Sequence, residues 1–171
     1  MTSPEKQNIA VMSFRQAQKK KRAFDAVITI EDPGTRDTLR FNKTPHPEHI
    51  VLKFHDIDFR SGDFRHPEED QVDHILAFGR RHIKGSLLIH CQAGISRSTA
   101  AALAILADRY GKGREPNALH DLLRLRPQAL PNFMVVELAD KLLDRNGELV
   151  RVMETHEQIV AHRLAPHRHY L

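Results

Sequence analysis

The chain has 171 residues, 40% of them hydrophobic and 28% charged, and a net charge of +4. That length suits one domain with its own core, and the balance is too apolar for a disordered chain. A single cysteine excludes an internal disulfide and a multi-cysteine zinc site, and no apolar stretch approaches the roughly 20 residues needed to span a bilayer.

In chain order, Ile9 to Met12 reads as a first strand, followed by a helix from Phe14 to Phe24 with Phe14, Ala17 and Phe24 facing inward. The run Lys19-Lys20-Lys21-Arg22 in this helix reads as a solvated face; the competing reading is a docking patch for an acidic partner. No nucleic-acid-binding motif accompanies it, so nucleic acid is not expected as a partner. Phe24 to Ile30 is β-branched and ends at the breaker Asp32-Pro33-Gly34, the pattern of a buried strand. Thr35 to Pro47 reads as a loop, and Ile50 to His55 as a strand with Ile50, Leu52 and Phe54 on one face. Pro67-Glu68-Glu69-Asp70 opens a helix, with acids where the helix dipole favours them. Val72, Ile75, Leu76, Gly79 and Ile83 mark its inward face.

Ser86 to His90 is a continuous apolar strand, as in the middle of a parallel sheet. Ser98 to Tyr110 is a helix apolar on nearly every face, and therefore buried, stopped by Gly111-Lys112-Gly113. Further helices are predicted at Pro116–Leu125, Asn132–Arg145 and Glu148–Leu164; the last presents Leu149, Val152, Met153, His156, Ile159 and Val160. Strands alternating with helices predict an α/β three-layer sandwich with a central, mainly parallel sheet flanked by helices. It is expected as one domain over 1–171, with a helical C-terminal extension at about 147–165. The first residues, Met1-Thr2-Ser3-Pro4-Glu5-Lys6, contain no apolar signal region, so a cytoplasmic location is expected.

The chemistry lies in His90-Cys91-Gln92-Ala93-Gly94-Ile95-Ser96-Arg97-Ser98. Cys91 follows a central strand directly and a helix begins a few residues later, where open α/β sheets place their sites and helix N-termini bind anions. A turn of five residues containing Gly94 can direct successive N–H groups inward as an anion nest, so Gln92, Ala93, Gly94, Ile95, Ser96 and Arg97 are expected to bind phosphate. Arg97 adds a bidentate fork for two phosphate oxygens. The same electropositive setting favours Cys91 as a thiolate nucleophile. Ser98 is placed to hydrogen-bond a departing thiolate, and His90 to brace the loop. The competing reading of Cys91 is a buried, inert thiol at a strand end.

These residues resemble the signature His-Cys-x5-Arg-Ser/Thr of the cysteine-based protein tyrosine phosphatase superfamily. The dual-specificity group and small bacterial phosphatases like it are most similar, because their loop commonly reads Ala-Gly-Ile-Ser-Arg-Ser, as residues 93–98 do. The segment Arg126-Pro127-Gln128-Ala129-Leu130-Pro131-Asn132-Phe133 is similar to the same group, and the resemblance runs from about Ile50 to Leu143. It implies a phosphotyrosine phosphatase-like fold and a phosphocysteine intermediate, with an aspartic acid that first protonates the leaving oxygen and then activates water. That acid belongs on the loop after the strand, here His55-Asp56-Ile57-Asp58-Phe59-Arg60-Ser61-Gly62-Asp63. Asp56 ends the strand as the family's acid does; Asp58 and Asp63 are the alternatives, because this loop is a few residues longer than the family's. Asn132 matches a family position that supports the phosphate loop, or is a plain helix N-cap.

The substrates implied are a phosphorylated protein or, alternatively, a small phosphometabolite or phospholipid. Neutral Gln92, Ala93 and Ile95 favour phosphorylated side chains, because lipid-phosphate phosphatases of this superfamily often carry lysines in the loop. Two other readings are a catalytically silent phospho-binding module and a sulfur-transferring rhodanese. No cofactor is required. Of the 12 histidines, His46-Pro47-Glu48-His49 comes nearest to a metal-ligand pattern and reads as ordinary polar loop; no metal site is assigned. His162, His167 and His169 read as a solvated tail, and Asp121 and Arg124 as surface charges.

Overall fold

The computed structural model describes residues 8–164, so the expected tail at His167 and His169, and the side chain of His162, lie outside the described residues. Four strands form one parallel sheet: β1 (Ile9–Ser13), β2 (Ala26–Glu31), β3 (Glu48–Lys53) and β4 (Leu87–Cys91), in the spatial order β1-β4-β2-β3. β4 and β2 occupy the middle and are buried at every position, which is why both read as continuous apolar runs. In register, Ile28 lies beside Ile89 and Thr29 beside His90, while Ser13 lies beside Cys91.

The helices are α1 (Phe14–Lys20), α2 (Glu69–Arg81), α3 (Arg97–Tyr110), α4 (Glu115–Leu125), α5 (Phe133–Leu142) and α6 (Glu148–Leu164). The two faces of the sheet are covered unequally. One carries the large core, in which Ile28, Ile30, Leu87, Ile89 and Phe54 meet α2 through α6. The other carries a small cluster, Ala17, Val27, Leu39 and Leu88, flanked by Phe14, Phe24 and Phe41 from α1 and the loops. Burial of each such aliphatic side chain contributes about 1.5–3 kcal/mol. α3 passes through the large core with Ala100 to Ala107 all buried. Its small residues and Gly79 of α2, where a Cβ would stand 2.8 Å from Ile105, allow this close packing.

Several sequence expectations are corrected. Ile83 lies beyond the end of α2 at Arg81 and is 55% exposed, whereas Phe78 is buried in the core. α1 ends at Lys20 and a 3-10 turn, Lys21–Ala23, follows. The basic run is also more than a solvated face. Lys21 Nζ donates to the Arg40 carbonyl, Arg22 donates to Lys43 O at 2.8 Å and to Pro45 O at 3.1 Å, and both cations lie over the Phe41 ring. α5 stops at Leu142, and Arg145 instead forms a buried ion pair with Glu115 at 3.3 Å. Asp121 accepts the Tyr110 hydroxyl at 2.5 Å, and Ile159 of α6 is exposed.

Candidate active site

The parallel sheet brings the C-terminal ends of β2, β3 and β4 together, and the chemistry-bearing residues leave from those ends. Cys91 closes β4 and is buried; its Sγ is 3.2 Å from Ser98 Oγ and accepts the Gly94 N–H at 3.3 Å. Gly94 has φ +70°, and a Cβ there would fall 2.5 Å from the Met12 carbonyl carbon. The turn therefore needs glycine both for its backbone angle and for its approach to β1. Phe14 N donates to Gln92 O at 3.1 Å, and the Arg126 guanidinium donates to Gly94 O at 2.8 Å and Ala93 O at 3.1 Å. With these carbonyls held outward, the N–H groups of Ala93, Ile95 and Ser96 have no acceptor among the described residues. They remain available to an oxyanion.

α3 starts at Arg97 without a side-chain cap, although Ser96 stands at the N-cap. The Ser96 hydroxyl is engaged elsewhere, donating to Asp56 Oδ1 at 2.6 Å. An uncapped first turn pointing at Cys91 places positive partial charge where an anion is needed. Arg97 is almost fully buried, and its Nη1 donates to Asp32 Oδ1 at 2.8 Å and to Phe54 O at 2.7 Å. Its Nε lies 3.9 Å from Asp56 Oδ2, beyond hydrogen-bond reach, and has no acceptor of its own.

The three loop carboxylates are separated by their contacts. Asp56 meets Ser96, Arg97 and Asn132, whose Nδ2 donates to Asp56 Oδ1 at 3.0 Å and to Ile57 O at 2.9 Å. Asp58 accepts the Phe133 N–H at 3.1 Å, at the start of α5. Asp63 is exposed and has no side-chain partner among the described residues. Asn132 Oδ1 caps α5 through Val135 N at 3.1 Å, its Nδ2 holds the Asp56 loop, and its backbone N–H donates to Ser96 O at 3.2 Å.

His90 lies beneath the loop. Its Nδ1 is 3.3 Å from Cys91 O and its Nε2 is 2.7 Å from Thr29 Oγ1, which is also 2.7 Å from His49 Nε2. Burial, opposed by the bond to Cys91, holds the His90 imidazole down at about 4, and burial also lowers His49. His46 stacks on Phe41.

Sequence spacing did not single out Asp32, Thr29, His49 or Arg126 for the site. Asp32 carried a usable signal, because it directly follows β2, a strand adjacent to β4, at the sheet edge where sites in parallel sheets collect. An opening of about 200 Å³ leads to Cys91 between Phe14, Gln92, Asp32 and Asp37.

The same architecture occurs in solved proteins. The Yvh1 phosphatase domain of Chaetomium thermophilum superimposes with a TM-score of 0.58 at 21% identity, over 85% of this chain and 95% of that one. Human DUSP28 gives 0.58 at 16% identity, over 91% and 96%. The fold is that of the cysteine-based protein tyrosine and dual-specificity phosphatases. Tk-PTP in its active form gives a TM-score of 0.54 at 23% identity, over 80% of this chain and 90% of that one. In sequence, the tyrosine-protein phosphatase YVH1 of Saccharomyces cerevisiae is 30% identical over 83 residues, 48% of this chain. The chain spans 22% of the length of that curated relative. No family model matches. No described helix is long and apolar enough to cross a membrane.

Proposed function

We propose that this protein is a phosphomonoester hydrolase that uses Cys91 as nucleophile and acts on phosphorylated protein side chains in the cytoplasm, where a lone thiol stays reduced. The observation that carries this reading is the convergence on one sulfur of the Gly94 N–H and the Ser98 hydroxyl, on the loop whose Ser96 and Arg97 bring Asp56 beside it. The Cys91 thiolate attacks phosphorus, the ester oxygen leaves with a proton from Asp56, and a phosphocysteine forms. Water, deprotonated by Asp56, then displaces the sulfur and releases inorganic phosphate. The loop N–H groups and Arg97 stabilise the equatorial oxygens through both displacements, and the Ser98 hydroxyl stabilises the departing thiolate. Asp56 is preferred over Asp58, which is committed to the start of α5, and over Asp63, which touches none of these groups. Neutral Gln92, Ala93 and Ile95 support protein rather than lipid substrates.

The test is release of phosphate from para-nitrophenyl phosphate. Wild type is expected to turn over steadily and Cys91→Ser to be inactive. Asp56→Asn is expected to lose about 10²–10⁴-fold on aryl phosphates with poor leaving groups and far less on activated ones. Equal losses on both would transfer the acid role to Asp58 or Asp63. Sulfur transfer from thiosulfate without phosphate release would replace the phosphatase reading altogether.

A further inference from the structure

The mouth beside Cys91 carries more negative charge than a simple phosphate pocket needs. Glu31, Asp32 and Asp37 line one side, and the half-buried Phe14 gives it an apolar wall. Glu31 is already satisfied, accepting the Thr38 hydroxyl at 2.7 Å and pairing with Lys53 at 3.3 Å. Asp32 is held by Arg97. Asp37 has no hydrogen bond or ion pair among the described residues. On the same opening Arg97, 4% exposed, has a buried Nε with no acceptor. Arg97 Nη1 thus already holds Asp32 while its Nε waits for an acceptor, and Asp37 is the carboxylate of this opening left without a partner among the described residues.

A dianionic phosphate that reaches Arg97 also comes beside Asp32, and the two repel. A cation carried by the substrate relieves that repulsion and pairs with Asp37. Resting on the phosphatase reading above, we propose that this opening is a subsite for a lysine or arginine side chain flanking the phosphorylated residue. The methylene stem packs on the half-buried Phe14 ring, as long basic side chains do on apolar surface, and the charged end reaches Asp37 and Asp32. The preferred substrates are therefore phosphoproteins with a basic residue next to the phosphate. Inositol lipids bearing several phosphates are rejected by the same carboxylates, although the chain as a whole is basic.

The experiment compares kcat/KM for phosphotyrosyl and phosphoseryl peptides that carry lysine or glutamate at each of the two positions on either side. Soluble phosphoinositides are assayed alongside. Wild type is expected to favour the best lysine peptide over its glutamate counterpart by about tenfold or more at low salt, with the ratio shrinking as salt is added. Asp37→Lys, an exposed loop change, is expected to bring that ratio to one or below. A wild-type ratio within about twofold, a ratio unmoved by Asp37→Lys, or a phosphoinositide turned over faster than every peptide overturns the subsite. If para-nitrophenyl phosphate is not hydrolysed, the phosphatase reading fails by itself. Fluorescence anisotropy of the same labelled peptides on wild type then decides the subsite: lysine peptides binding tighter supports it, and equal binding overturns it.

Discussion

The His90 imidazole can hold one proton at neutral pH, and its neighbours decide where. Nδ1 faces the Cys91 carbonyl, which only accepts, so the proton sits on Nδ1 and Nε2 accepts from the Thr29 hydroxyl. Thr29 Oγ1 in turn accepts from His49 Nε2–H. The chain therefore runs from His49 through Thr29 and His90 to the backbone of Cys91, across β3, β2 and β4. It has a pH signature. Burial keeps the His90 pKa at about 4, against about 6.5 in an unfolded chain. Below pH 6.5 the unfolded state binds the proton that the folded state refuses. The stability tied to neutral His90 is therefore fully present above pH 6.5 and is lost as pH falls toward 4, by about 3 kcal/mol. Urea unfolding of wild type and His90→Asn between pH 7 and pH 4.5 should show the variant with the flatter pH dependence. Parallel curves would mean that His90 titrates alike in the folded and unfolded chains, so that burial does not shift it.

At the scale of elements, buried carboxylates fix the starts of the C-terminal helices to their neighbours. The N–H groups of Gly147 and Leu149 at the start of α6 donate to the Asp140 carboxylate of α5 at 2.7 and 2.8 Å. Glu115, at the start of α4, accepts the Gly113 N–H at 3.2 Å and pairs with Arg145 at 3.3 Å. Arg145 also donates to Ala107 O near the end of α3 at 3.0 Å. This buried pair therefore ties α3 and α4 to the turn before α6. Glu115→Ala would leave the arginine charge buried without its partner, a defect that costs about 3–5 kcal/mol. Denaturant titration should report that loss, whereas the exposed pair Lys112–Asp144, at 3.0 Å, should yield less than about 1 kcal/mol on Lys112→Ala.

Across the whole molecule the sheet is covered asymmetrically, and the C-terminal helical part belongs to the thick side. Leu149 and Met153 of α6 are fully buried and join the same core as Ile28 and Ile89. α6 is thus part of the core and not an appendage. Removing residues 148–171 strips two aliphatic side chains from the core, each worth about 1.5–3 kcal/mol. A protein ending at Gly147 should unfold at least about 10 °C below the full chain, given the several degrees that each kcal/mol moves Tm in a domain of this size. An unchanged transition would separate α6 from the core.

Much of this was legible without coordinates, for a physical reason. Helix and strand periods, the glycine of the Cys91 turn, and the alternation that forces a parallel sheet are written locally, so β2, β4, α3 and α6 were expected nearly where they lie. The Cys91–Arg97 segment was also readable, because its residues are consecutive and its turn needs no distant partner. Tertiary structure alone decided what reaches that loop from elsewhere: Asp32 onto Arg97, Arg126 onto the loop carbonyls, His49 through Thr29 onto His90, and Asp56 against Ser96 and Asn132. Each of these contacts joins residues twenty or more positions apart. Sheet order, and not the spacing of residue types along the chain, decides which of many polar side chains meet.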